Sequence, residues 1–198
     1  IQDADGYFLT KEENDKDLDD ESLALSPGRH ALALHALLKA GVSPTDPVIN
    51  KGFELLLAQY DFNKDQAKNH WLYSKKNKYE RTYQCASVLQ AIQVYLEALG
   101  DKKPAVGTKE KFLTMAKDSL KRILIARTSP TNMNRQRLWG KPGFGADLSS
   151  IQYAVLGLHS ASQLGIFTEE HEEYKKVWDQ IYRGLLDSQS KITSRKIK

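Results

Sequence analysis

Three carboxylates fall within four positions at Asp17, Asp19 and Asp20. A carboxyl kept protonated by burial and by its neighbours can deliver a proton to an unreactive substrate. That chemistry requires an apolar cavity, yet these residues belong to an acidic run that begins at Glu12, and Pro27-Gly28 separates them from the first apolar helical pattern. They are read as a solvated acidic loop, or as charges preceding a helix. Cys85 is the only cysteine, which excludes an intrachain disulfide, and one thiolate does not make a zinc site. His30 and His35 stand five positions apart, not the four that align two ligands on one helical face. Together with His159 they are read as packed or hydrogen-bonded side chains. No Ser-His-Asp arrangement emerges, and "GKPGFG" lacks the Lys-Ser or Lys-Thr of a phosphate loop, so its glycines are read as a turn beside Trp139. No metal or cofactor is expected.

The remaining candidates are aromatic and amide side chains. Trp71 and Trp139 lie in two long polar linkers, "DFNKDQAKNHWLYSKKNKYE" and "TSPTNMNRQRLWGKPGFGA", and loops of that length are usual sites of function. With Tyr83 and Gln152 they form the candidate ligand-binding set, for a lipid or a glycan. Gln84, Gln90, Gln93 and Gln152 either line a polar cavity or bond across helices.

Helices must position these groups. "GRHALALHALLKAG" puts Ala31, Leu34, His35, Leu37 and Leu38 at helical spacing, after Pro27-Gly28 and before Gly41. In "SPTDPVINKGFELLLAQY", Asp46 is placed to cap, Pro47 to open the helix, and Val48, Phe53, Leu56 and Leu57 to form its apolar face. The pair predicts an αα-hairpin. Two further pairs follow: "ERTYQCASVLQAIQVYLEALG" with "TKEKFLTMAKDSLKRILIAR", and "DLSSIQYAVLGLHSASQLG" with "TEEHEEYKKVWDQIYRGLLDSQ". Asp147 is the expected cap of the helix near Leu148. Gly41, Gly100 and Gly165 close the three first helices, at spacings of 59 and 65 residues. Each first helix is poor in charge and each second helix is amphipathic, which predicts buried first helices inside and half-exposed second helices outside.

A chain of 198 residues with 40% hydrophobic content can bury one sizeable core. It begins with Ile1 rather than Met, from which removal of an upstream segment is expected. No apolar run approaches the about eighteen residues of a membrane span. Residues 1–25 carry nine acidic side chains against Lys11 and Lys16, a local charge of −7 that leaves +11 on the rest. The basic residues are scattered among glutamates on helical surfaces, so no nucleic-acid partner is expected. The domain reading is an acidic arm at 1–27, a helical domain at 28–190 and a basic tail at 191–198.

"WGKPGFGADLSSIQYAVLGLHSASQLG" resembles the prenyltransferase and squalene-oxidase type repeat of α/α toroids. It is more similar still to the squalene-cyclase-like amino-terminal region of uncharacterised bacterial proteins. "RHALALHALLKAGVSPTDPVINKGFELLLAQ" and "TYQCASVLQAI" look like further blocks of that pattern, and the likeness spans roughly residues 2–190. It implies a partial or complete α/α toroid, with the amino ends of inner helices opening onto a central cavity. Family toroids hold more hairpins than three, which implies that another copy, another chain or the rest of the polypeptide covers the open edges.

The resemblance also supplies two catalytic comparisons. Asp17-Leu18-Asp19-Asp20 spells the Asp-x-Asp-Asp signature of class II terpenoid cyclases, but in them the acid opens an inner helix. Cys85 falls where the zinc-binding Cys of protein prenyltransferases lies, whereas Tyr83 stands at the Asp position and Ser150 at the His position. The expected function is therefore a non-catalytic toroid module for interaction or scaffolding within a larger bacterial protein. A terpenoid-cyclase- or prenyltransferase-like enzyme using Asp17, Asp19 or Asp20 is one alternative, and a lipid- or glycan-binding domain is another. The expected partner is a protein or the remainder of the same polypeptide.

Overall fold

The computed structural model describes residues 27–60, 81–127, 139–141, 145–146 and 148–193. Among them are six helices: α1 (Pro27–Lys39), α2 (Pro47–Gln59), α3 (Arg81–Leu99), α4 (Lys109–Ile125), α5 (Leu148–Gln163) and α6 (Tyr174–Thr193). The only other regular element is a two-residue antiparallel ladder, β1 (Gly140–Lys141) with β2 (Gly145–Ala146), so the described fold is all-α. None of these helices is long and apolar enough to cross a membrane. The acidic arm, Trp71 and Asp147 lie outside the described residues.

Local chemistry accounts for the helix ends. Asp46 accepts from the Val48 backbone N–H at 2.9 Å with Pro47 in the first turn, and Thr108 caps α4 by accepting from the Lys111 N–H. Each such cap is worth about 1 kcal/mol. Helix α1 closes where Gly41 adopts a φ of 88°, so that Gly41 N–H reaches Leu38 O while Val42 N–H reaches Leu37 O. The same paired bonds recur at Gly165, from Gly165 N–H to Ser162 O and from Ile166 N–H to Ala161 O. A residue with a Cβ is strained in that left-handed conformation, hence glycine at both stops. Val42 and Ile166, the residues that follow, pack against the core.

Helix α3 occupies the middle. It packs against α1, α4 and α5, while α1 and α5 make no comparable contact with each other, so the three form a row centred on α3. From Thr82 to Leu96 the helix has no charged residue, and every residue from Gln84 to Ile92 is buried. Two close approaches bring the backbones together. A Cβ on Gly28 would lie 2.6 Å from the Gln84 Cα, and one on Gly157 would lie 3.0 Å from the Ala86 Cα and 2.8 Å from the Ile123 side chain. Helices α2 and α4 are tied to α3 by an aromatic cluster, in which Phe53 stacks on Tyr95 at 4.1 Å and Phe112 meets both rings edge-on.

Three expectations need correcting. The apolar face of α2 runs through Ile49, Phe53 and Leu56, while Val48 is exposed, because the cap turns position 48 outward and places its neighbour on the core side. The segment 168–173 is a set of turns and not helix. Thr168 O accepts from His171 N–H, His171 O accepts from Tyr174 N–H, and the His171 ring accepts from the Glu173 N–H. Burial of Phe167 against Tyr174, with centroids 5.0 Å apart, brackets those turns and delays α6 to Tyr174. His159 faces solvent, away from the buried Ala154, Leu158 and Ala161 on the same helix.

Helix α6 is held differently from the others. Among the described residues it makes no close backbone packing comparable with that between α3 and α4. Its anchors are side chains: Val177 and Ile181 in the core, Tyr174 between Phe167 and Trp178, and Arg127 at the end of α4. Arg127 donates to Glu173 and, at 3.0 Å, to Gln180.

Candidate functional site

A cleft of about 280 Å³ opens at the amino-terminal ends of the helix row. Gly28, Arg29 and Leu32 come from α1, Tyr83, Gln84 and Ser87 from α3, and Tyr153 from α5. Positions 29 and 32 share a face of α1 by helical spacing, as do 83 and 87 on α3. The missing side chain at Gly28 allows α1 to meet α3 closely enough for these faces to form one wall.

The aromatic end of the cleft is a corner. Tyr83 and Tyr153 lie 4.7 Å apart between centroids with their planes tilted by 59°. The Tyr83 hydroxyl is 2.6 Å from Ser149 Oγ, and Ser150 Oγ–H donates to it at 3.3 Å, so the first turn of α5 fixes the phenol in place. At the α1 end Arg29 is the only charged residue in the lining, and Leu32 is 40% exposed. Behind this wall His30 is buried, with its Nε2 2.9 Å from Gly52 O, which puts the proton on Nε2. Desolvation lowers its pKa below 6.5 despite the opposing bond to Gly52, so the ring is a neutral strut between α1 and α2.

The sequence candidates distribute unevenly about the cleft. Tyr83 lines it. Gln152 is exposed on α5 and is not part of the lining. Trp139 is buried to 1% exposure, and its indole N–H donates to Ile123 O at 2.7 Å, which makes it an internal brace between the segment before β1 and helix α4. Trp71, Asp17, Asp19 and Asp20 lie outside the described residues. Gln84 and Gln90 are buried, Gln90 bonding to Ala86 O within its own helix, and Gln93 bonds to Glu97 along α3. Arg29, Leu32, Ser87 and Tyr153 line the cleft without having been singled out from the sequence. The available signal was their common placement in the first two turns of the three charge-poor helices.

The lining contains no carboxylate or imidazole that could serve as a base for Ser87 or Tyr83, and a hydroxyl nucleophile needs one. Cys85 is buried, and among the described residues no group of three or more His, Cys, Asp or Glu could hold a metal ion. The chemistry on offer is therefore recognition: an aromatic corner, an aliphatic wall, two small polar groups and one guanidinium. Elsewhere the buried charges are absorbed by each other. Arg122 Nε–H donates to Asp118 Oδ2 at 2.9 Å within α4, and burial raises the Asp118 carboxyl pKa while Arg122 and a bond from Tyr60 restrain the rise.

No protein-family model matches the chain, and neither the curated proteins nor the solved structures contain a significant match.

Proposed function

We propose that the chain is a non-catalytic interaction module built from helical hairpins in the manner of an α/α toroid, serving a larger protein assembly. The observation that carries this reading is the outer edge of the helix row. Helix α5 has no Asp, Glu, Lys or Arg in its 16 residues, and it leaves Leu148 61% and Leu156 40% exposed. Isolated exposed leucines are ordinary, but two on the charge-free face of an edge helix favour association. The row α1, α3, α5, with α2 and α4 packed on its members, supports the two-layer hairpin arrangement, and the cleft at the row's amino ends agrees with the opening expected of a toroid.

Light scattering across a concentration series tests the reading. Self-association, or a stable complex with the remainder of its own polypeptide, is expected, and Leu156→Lys should weaken it at least tenfold. Turnover of an isoprenoid diphosphate or a squalene-type substrate would refute the non-catalytic assignment. Replacing Asp17, Asp19 and Asp20 together by Asn would then show whether they supply the acid.

A further inference from the structure

We infer that the cleft between α1, α3 and α5 binds a small aryl-substituted carboxylic acid, with its ring in the tyrosine corner and its carboxylate at Arg29. This goes beyond the interaction reading, since the cleft could act in a module of any partner.

The size, polarity and charge of the lining each narrow the ligand. At about 30 Å³ for each water-sized group, the 280 Å³ volume holds roughly ten non-hydrogen atoms. That is too little for a polyisoprenoid chain or for an oligosaccharide. The wall is formed mainly by two phenol rings and Leu32, with polarity limited to the Gln84 amide, the Ser87 hydroxyl and the Arg29 guanidinium. A sugar ring, which needs a polar partner for each hydroxyl, is poorly served by that set. An aromatic ring is well served, because Tyr83 and Tyr153 at 59° offer a face and an edge simultaneously. Arg29 as the sole lining charge disfavours a cation and favours an anion that can take paired N–H donors, as a carboxylate does. Arg29 belongs to α1 and Tyr153 to α5, on opposite sides of α3. A short alkyl linker between ring and carboxylate is therefore required to cross over Ser87.

The probe is 3-phenylpropanoate, titrated into the full chain and followed by amide chemical shifts. Saturable binding at millimolar concentration or tighter is expected, with the largest shifts at residues 28–32, 83–87 and 153. Arg29→Gln should weaken binding at least tenfold; the exposed position of Arg29 makes loss of folding an unlikely confounder, and an unchanged amide spectrum verifies this. Tyr153→Leu should weaken 3-phenylpropanoate more than hexanoate. Arg183→Gln on α6 removes the same charge far along the chain and should change affinity less than twofold. 3-Phenylpropylamine, the cationic counterpart, should bind at least tenfold more weakly than the acid. Absence of saturable binding, equal affinity in the Arg29→Gln variant, or shifts centred away from the cleft would each overturn the inference. None of those results bears on self-association at α5, so the two proposals fail separately.

Discussion

Helices α3 and α6 bury their apolar residues by opposite means. Helix α3 has neighbours on three sides and no charge over most of its length, so its position follows from backbone proximity and continuous packing. Helix α6 touches the body through Val177, Ile181, an aromatic chain and the Arg127 clamp, and leaves Tyr182 65% exposed beside Leu185 and Leu186. The difference teaches that the two layers of this fold are not equally fixed. The inner row is set by close packing, and the last outer helix by a few specific side-chain contacts. Opening should therefore begin at α6, because regions with few buried contacts open at lower free energy than the core.

Leu89→Ala in the centre of α3 should have the largest effect, about 2–5 kcal/mol of stability measured by urea unfolding, since a fully buried leucine leaves a cavity lined by three helices. A loss below about 1 kcal/mol would mean that α3 is not the packed centre. Trp139→Phe should cost about 1–3 kcal/mol by leaving Ile123 O without its indole donor. Near-wild-type stability would remove Trp139 from its bracing role. Glu173→Gln should cost about 1 kcal/mol or less globally. Its larger signature should be faster amide exchange confined to α6, and equal acceleration in α3 would show that the two helices open together.

Acid should separate the same regions in sequence. Burial lowers the His30 pKa below 6.5, so the stability that His30 contributes is complete above about pH 6.5 and is lost as pH falls through its folded value. For Glu173, burial would raise the carboxyl, but the bond and charge of Arg127, aided by Lys176 and His171, outweigh it and hold the pKa below 4.5. Its contribution therefore persists until the pH drops under about 4.5. Hydrogen exchange should show α1 and α2 loosening before the Arg127 clamp releases. Tyr182→Ala should have the smallest effect, within about 0.5 kcal/mol, because the residue is mostly exposed.

Much of this architecture was legible in the sequence because its causes are local. Asp46-Pro47 announces a helix start through one side-chain bond and one fixed dihedral, and Gly41 and Gly165 announce stops through a conformation that other residues avoid. Apolar spacing marked the six helices but not every face. Val48 and Ile49 are adjacent, and only the angle imposed by the cap decides which points inward. The delayed start of α6 was not legible, because it depends on Phe167 meeting Tyr174 across a turn. The candidate site was less readable still. Tyr83 was identified, but its ring partner is 70 positions away, and Arg29 acquires meaning only where α1 meets α3. Trp139 misled for an instructive reason: an aromatic residue in a glycine-rich loop resembles a ligand anchor until its indole is found bonded to a backbone carbonyl.

Gly157 sets a tolerance for the whole row. With no side chain there, α5 rests directly on Ala86 and Ile123, and one helical turn earlier Tyr153 faces Tyr83. The gap between those rings is thus gauged by a seating point outside the cleft. A single added methyl at position 157 would act as a shim, spreading the aromatic corner without altering any atom that lines it.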